Sequence, residues 1–105
     1  AAKYYAPVQG VWELRRAIAD FHNEVDGFEW DPDEVIIGAG SKILLYCLLA
    51  AVKSAEVILV SPSWVSYEPQ ARLAGHSVTR IQTRFEDEWQ LTPNDLDGAC
   101  CEAGA

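Results

Sequence analysis

At 105 residues the chain has the length of one small domain or of one piece of a larger one, and folding buries about two-thirds of the surface such a chain exposes. Half of its residues are hydrophobic and its formal net charge is −8, the composition of a soluble globular protein that repels nucleic acid and anionic membrane. The longest apolar stretch, Ile43 to Val52, is far below a membrane span, and Ala1-Ala2-Lys3-Tyr4 lacks the hydrophobic centre of a signal peptide. The three cysteines, Cys47 and the adjacent Cys100-Cys101, form neither a disulfide framework nor a zinc spacing, so a reducing, cytoplasmic setting is expected. There is no methionine, and Cys100-Cys101-Glu102-Ala103-Gly104-Ala105 stops partway through a helical pattern. A fragment is therefore expected, with residues 1–105 forming a single partial domain.

In chain order, Tyr4 to Gly10 is irregular, because Pro7 removes a backbone donor and Gly10 precedes a periodic segment. Val11, Leu14, Ile18, Phe21 and Val25 recur at helical spacing and predict an amphipathic helix that stops at Asp26-Gly27. The turn-forming Asp31-Pro32-Asp33 leads into a short β-branched run, Glu34-Val35-Ile36-Ile37, expected as the first strand. A helix from about Ser41 to Lys53 is apolar around most of its circumference, which predicts that it is sandwiched. Val57 to Val60 reads as a parallel strand buried on both faces and halted by Ser61-Pro62-Ser63.

Trp64 to Ala74 is expected to be a third helix with Pro69 in its first turn and Gly75 as its stop. A third strand, Ser77 to Thr83, carries enough polar residues to lie near a sheet edge. Arg84 to Gln90 is acidic and turn-like, and Thr92-Pro93 caps and opens a last helix. This alternation predicts an α/β fold, a three-layer, mostly parallel sheet with flanking helices, whose strand ends share one rim where ligands bind.

On that rim the stretch Gly38-Ala39-Gly40-Ser41-Lys42 lies between a strand and a helix, so its backbone N–H groups and the positive end of the helix dipole converge on one spot that suits a phosphate. Two nucleotide loops fail here. The dinucleotide fingerprint wants a small residue where Ile43 stands and an acid where Ser61 stands. The triphosphate loop needs glycine directly before lysine, whereas Ser41 separates Gly40 from Lys42. A glycine-eased turn with a serine cap is the bland alternative.

Several segments together resemble the fold-type I, pyridoxal-phosphate-dependent aminotransferases of class I/II. They are Tyr5-Ala6-Pro7-Val8-Gln9-Gly10 with Glu13-Leu14-Arg15-Arg16-Ala17-Ile18-Ala19, Val35 to Leu45, Ser61-Pro62-Ser63-Trp64-Val65-Ser66-Tyr67 with Leu73-Ala74-Gly75, and Leu91-Thr92-Pro93. Order and spacing agree over almost the whole chain, which the resemblance makes the N-terminal part of the large, cofactor-binding domain.

The resemblance implies that Gly40, Ser41 and Lys42 form the phosphate cup for pyridoxal 5'-phosphate. It implies that Trp64 stacks on the pyridine ring and that Tyr5 reaches the cofactor of the partner subunit in a homodimer. It implies amino acid and 2-oxo acid substrates, and an enzyme whose cofactor-bonding lysine and remaining catalytic groups lie beyond Ala105, so no residue here is expected to be catalytic. Lys42 opens a helix at the loop, where its backbone matters more than its amine, and Lys3 and Lys53 are expected to be solvated. The competing reading of Trp64 is a core aromatic, disfavoured by its place after Ser-Pro-Ser at the rim, and that of Tyr5 is turn packing. His22 and His76 are expected at the surface or at helix ends. Two other readings are a non-catalytic aminotransferase-like domain of a transcription regulator and a free-standing anion-binding α/β module.

Overall fold

A computed structural model describes residues 4–103, so the expectation for Lys3 lies outside the described residues. The chain divides into two compact units, Ala1–Ile43 and Leu44–Ala105.

In the first unit the periodic segment folds as helix α1, Trp12–Asp26. Its buried side chains are Arg15 and Ala19, whereas Val11, Leu14, Phe21 and Val25 are exposed. Of the apolar stripe only Ile18 is even half-buried; the fully buried positions are a small residue and an arginine whose guanidinium finds acceptors there. The chain then folds back through a single 3₁₀ turn, Pro32–Glu34. Proline opens this turn, the Asp31 carboxylate accepts from the Asp33 N–H at 2.8 Å, and the Glu34 carboxylate accepts from the Asp31 N–H at 2.9 Å, a reciprocal capping box. The Asn23 side-chain amide pairs with the peptide of Trp30, donating to its carbonyl at 3.1 Å and accepting from its N–H at 2.6 Å.

The expected first strand differs from the prediction. Glu34 belongs to the 3₁₀ turn, and Val35 is extended but joins no ladder among the described residues. The Ile37 N–H is instead taken by the Gln9 carbonyl at 2.7 Å. A β-branched run supplies extended backbone, but a strand also needs a neighbour in register.

The second unit is α/β. Helix α2 spans Ser41–Ala51, with Leu44 onward in this unit, and is followed by strand β1 at Glu56–Ser61, helix α3 at Tyr67–Leu73, strand β2 at Ser77–Gln82 and helix α4 at Pro93–Ala103. The two strands pair in parallel from Glu56↔Ser77 to Ser61↔Gln82, and α3 and α4 pack on them. Thr83 prolongs the ladder, its N–H and hydroxyl both donating to the Ser61 carbonyl at 2.9 and 2.6 Å. Ala71 of α3, Ile81 of β2 and Ala99 of α4 form the buried apolar core, the two helices meeting the sheet through small residues.

Three expectations are corrected. β1 is half-buried rather than buried on both faces. No residue of α2 is buried, so the sandwiched helix is not realised; a helix apolar on all sides needs cover on several faces. And α3 begins at Tyr67, leaving Trp64 ahead of the helix in the turn that closes with the Tyr67 N–H on the Trp64 carbonyl at 3.3 Å. Pro69 lies in the first turn of α3, as expected, since its missing N–H has no intrahelical partner there.

His76 does have a helix-end role, but it is buried, at 5% exposure, rather than at the surface. Its Nδ1 accepts from the Ala55 N–H at 3.1 Å, which requires the proton on Nε2, and Nε2–H donates to the Leu49 carbonyl at 2.6 Å. One imidazole thereby terminates α2 and fixes the turn into β1. In the complete protein, His76→Ala leaves that N–H and carbonyl without their partner and is expected to lower stability by about 1–3 kcal/mol for each group that stays buried. Urea denaturation monitored by far-UV circular dichroism checks this; an unchanged midpoint assigns His76 no structural share.

Candidate functional site

The Gly38 to Lys42 stretch forms a tight turn into α2. The Gly40 N–H donates to the Gly38 carbonyl at 2.8 Å, Gly40 has φ +98°, and α2 starts at Ser41. At that φ an L side chain is strained, although open space surrounds the position a Cβ would take, so backbone conformation dictates glycine and leaves room over the loop. Gly40, Ser41 and Lys42 are all exposed. The first turn of an α-helix points its N–H groups out of the helical ladder toward its start, and these are the donors available to an anion there. The expectation that every N–H of the loop faces a ligand is corrected at Gly40, whose N–H closes the turn.

Tyr5 lies in the same unit, in the irregular segment before α1, with its side chain fully exposed at 104%. Trp64 belongs to the second unit and is 45% exposed. Its ring meets Tyr67 edge to face, centroids 5.5 Å apart at 82°. It lines a groove of about 630 Å³ together with Ser61, Pro62, Ser63, Arg72 and Arg80. The Ser61–Pro62 peptide is cis.

A charged cluster borders this groove. Glu68 accepts from Arg72 Nε at 2.9 Å and from Arg80 Nε at 2.7 Å. The hydrogen bonds from Arg80 and then Arg72 hold the Glu68 carboxyl below the ordinary value of 4.5. Across the other end of the sheet, the hydroxyls of Ser77 and then Thr79 similarly hold Glu56 below 4.5.

Sequence reasoning did not single out Arg15, Glu68, Arg72 or Arg80. Arg15 had a detectable signal, since it shares a helix face at i, i+4 with the small Ala19; the Glu68 cluster joins α3 to β2, a pairing that needs the crossover. His22 is an exposed helical residue with Nδ1 2.6 Å from Asp26 Oδ2. All three cysteines are free and exposed. Among the described residues no cluster of His, Cys, Asp and Glu suits a metal, and no helix is long and apolar enough to cross a membrane.

The family described as "Aminotransferase class I and II" matches residues 1–104. The chain is 36% identical over 97 residues to the aspartate/prephenate aminotransferase of Cereibacter sphaeroides, covering 90% of this chain and 24% of that protein. It is 32% identical over 100 residues to the aspartate aminotransferase of Bacillus subtilis, covering 93% of this chain and 25% of that one. Among solved structures, the aspartate aminotransferase of Thermotoga maritima superposes with a TM-score of 0.85 at 34% identity, over 90% of this chain and 26% of that chain. The chain spans about a quarter of the length of the relatives it matches.

Because the folded Glu68 carboxyl lies below its unfolded value, its ion pairs stabilise the protein above about pH 4.5 and are lost as pH falls through the depressed value. In the complete protein, Glu68→Gln is therefore expected to lower the urea midpoint at pH 7, by a margin that shrinks as pH falls below about 4.5 toward strongly acidic pH. Midpoints of both proteins across that range, measured at low salt, give the comparison; a constant gap at every pH removes the carboxylate from the account.

Proposed function

The chain belongs to the class I and II aminotransferases, and from that premise we propose that residues 1–105 are part of the large domain of a pyridoxal-phosphate-dependent aminotransferase, the part that receives the cofactor's phosphate and one face of its ring. The complete enzyme moves an amino group from an amino acid to a 2-oxo acid in the cytoplasm. The observation that carries this reading is the turn at Gly40: a glycine at φ +98°, open space above it, and an exposed helix start at Ser41 and Lys42.

The residues present fit the cofactor's anionic and aromatic ends. Ser41 and Lys42 would hold the phosphate through their backbone N–H groups at the positive end of α2 and through the Ser41 hydroxyl, while Gly40, whose own N–H closes the turn, would leave room for it. Trp64, half-exposed on its groove, would present a flat apolar face to the ring. The bound cofactor supplies an electron sink for chemistry at the amino acid's α-carbon. The contribution of this chain is to bind and orient, while proton transfer falls to residues outside it. Tyr5 is wholly exposed and would reach the cofactor phosphate of the partner subunit in a homodimer. The net charge of −8 disfavours direct nucleic-acid contact by these residues.

Aromatic stacking of this kind contributes about 0.5–1.5 kcal/mol beyond buried area, so Trp64→Ala in the complete enzyme is expected to weaken cofactor binding about 2- to 10-fold, while Trp64→Phe retains most of it. Equilibrium titration of the apo-enzyme, with quenching of indole fluorescence as the second readout, measures both. Wild-type affinity in Trp64→Ala together with a lowered melting temperature returns Trp64 to the role of a packing residue.

A further inference from the structure

We propose that Arg15 and Gly10, far from the cup in sequence, are positioning residues for it; the inference rests on the reading of Gly40 to Lys42 as the phosphate site. Arg15 is 5% exposed, and its guanidinium is used as a fork. Nε donates to the Gly10 carbonyl at 3.2 Å, while Nη1 donates to the Pro32 carbonyl at 3.0 Å and to Asp33 Oδ1 at 3.1 Å. Two different segments, the turn before α1 and the turn after it, are thereby tied to one side chain. The Asp33 side chain is 82% exposed, so the ion pair is screened and the two peptide carbonyls are the acceptors that matter. A lysine ammonium is a point donor and cannot span both sides of that fork.

The turn held by Arg15 reaches the approach to the cup directly. Its Gly10 N–H closes on the Pro7 carbonyl at 2.8 Å, and its Gln9 carbonyl accepts the Ile37 N–H at 2.7 Å. Gly10 has φ +106°, and a Cβ built there would lie 2.5 Å from both Cβ and Cγ1 of Ile37. No rotamer change relieves an overlap with Cβ, so any side chain at position 10 must move the Ile37 backbone. Ile37 immediately precedes Gly38, whose carbonyl closes the cup turn on Gly40. Arg15 thus fixes the turn at Gly10, that turn fixes Ile37 by one hydrogen bond and one close approach, and Ile37 delivers Gly38 to the cup.

A group that places the cup affects the phosphate of the ligand and leaves its ring binding alone. The experiment titrates the apo form of the complete enzyme with pyridoxal phosphate and with pyridoxal, which has the same ring without the phosphate, for wild type, Gly10→Ala and Arg15→Lys. The expected result is a loss of at least about 5-fold in pyridoxal phosphate affinity for both variants, with pyridoxal affinity changed by less than about 2-fold, the scale of one helix-terminus charge interaction. If the variants lose both ligands alike, through unfolding or otherwise, or keep the wild-type preference for the phosphorylated ligand, Arg15 and Gly10 do not position the cup. A wild type that itself binds pyridoxal as tightly as pyridoxal phosphate overturns the phosphate site, and the positioning roles fall with it.

Discussion

A guanidinium taken out of water is tolerated only where acceptors replace its hydration, and in the first unit that condition organises everything else. Arg15 meets it with two backbone carbonyls and one carboxylate. The carbonyls come from opposite ends of the unit, so satisfying one side chain brings the segment before α1 and the turn after it onto the same face of the helix. An apolar residue at this position could fill the space but could not choose which carbonyls to meet. The fork supplies direction, and the direction carries through Gly10 and Ile37 to the turn that opens α2.

The second unit solves a related problem with a neutral group. The imidazole of His76 offers one donor and one acceptor on opposite sides of a ring, and it is placed where the end of α2 leaves a carbonyl and the following turn leaves an N–H. The Glu68 cluster joins the same elements as the crossover itself, with Arg72 from α3 and Arg80 from β2 sharing one carboxylate. These polar links matter because the apolar core is small: Ala71, Ile81 and Ala99 are its buried members. Half of the residues are hydrophobic, yet Leu14, Phe21, Ile43 and Leu48 remain exposed. At roughly 25 cal/mol per Å² such uncovered surface withholds a large share of the stabilisation the composition would allow.

Much of the secondary structure, and the glycine turn on which the proposed site rests, were legible from the residues themselves, because the signals are local. Periodicity placed α1, Thr92-Pro93 placed the start of α4 with the Asp95 N–H on the Thr92 hydroxyl, and the glycines with Ser41 marked a turn into a helix. Four motifs in order pointed to the aminotransferase family. What sequence could not supply was which face of each element meets a neighbour. The stripe of α1 was read as its packing face, and Arg15 holds that place instead; Glu34 to Ile37 was read as a strand, but the Val35 N–H goes to Pro32 and the Ile37 N–H to Gln9. Periodicity and propensity report what a segment prefers, whereas pairing and burial depend on groups distant along the chain. The helix and its glycine turn were therefore determined by the sequence alone, and only the tertiary structure decided that a buried arginine, a neutral histidine and a glycine backed against Ile37 hold them in place.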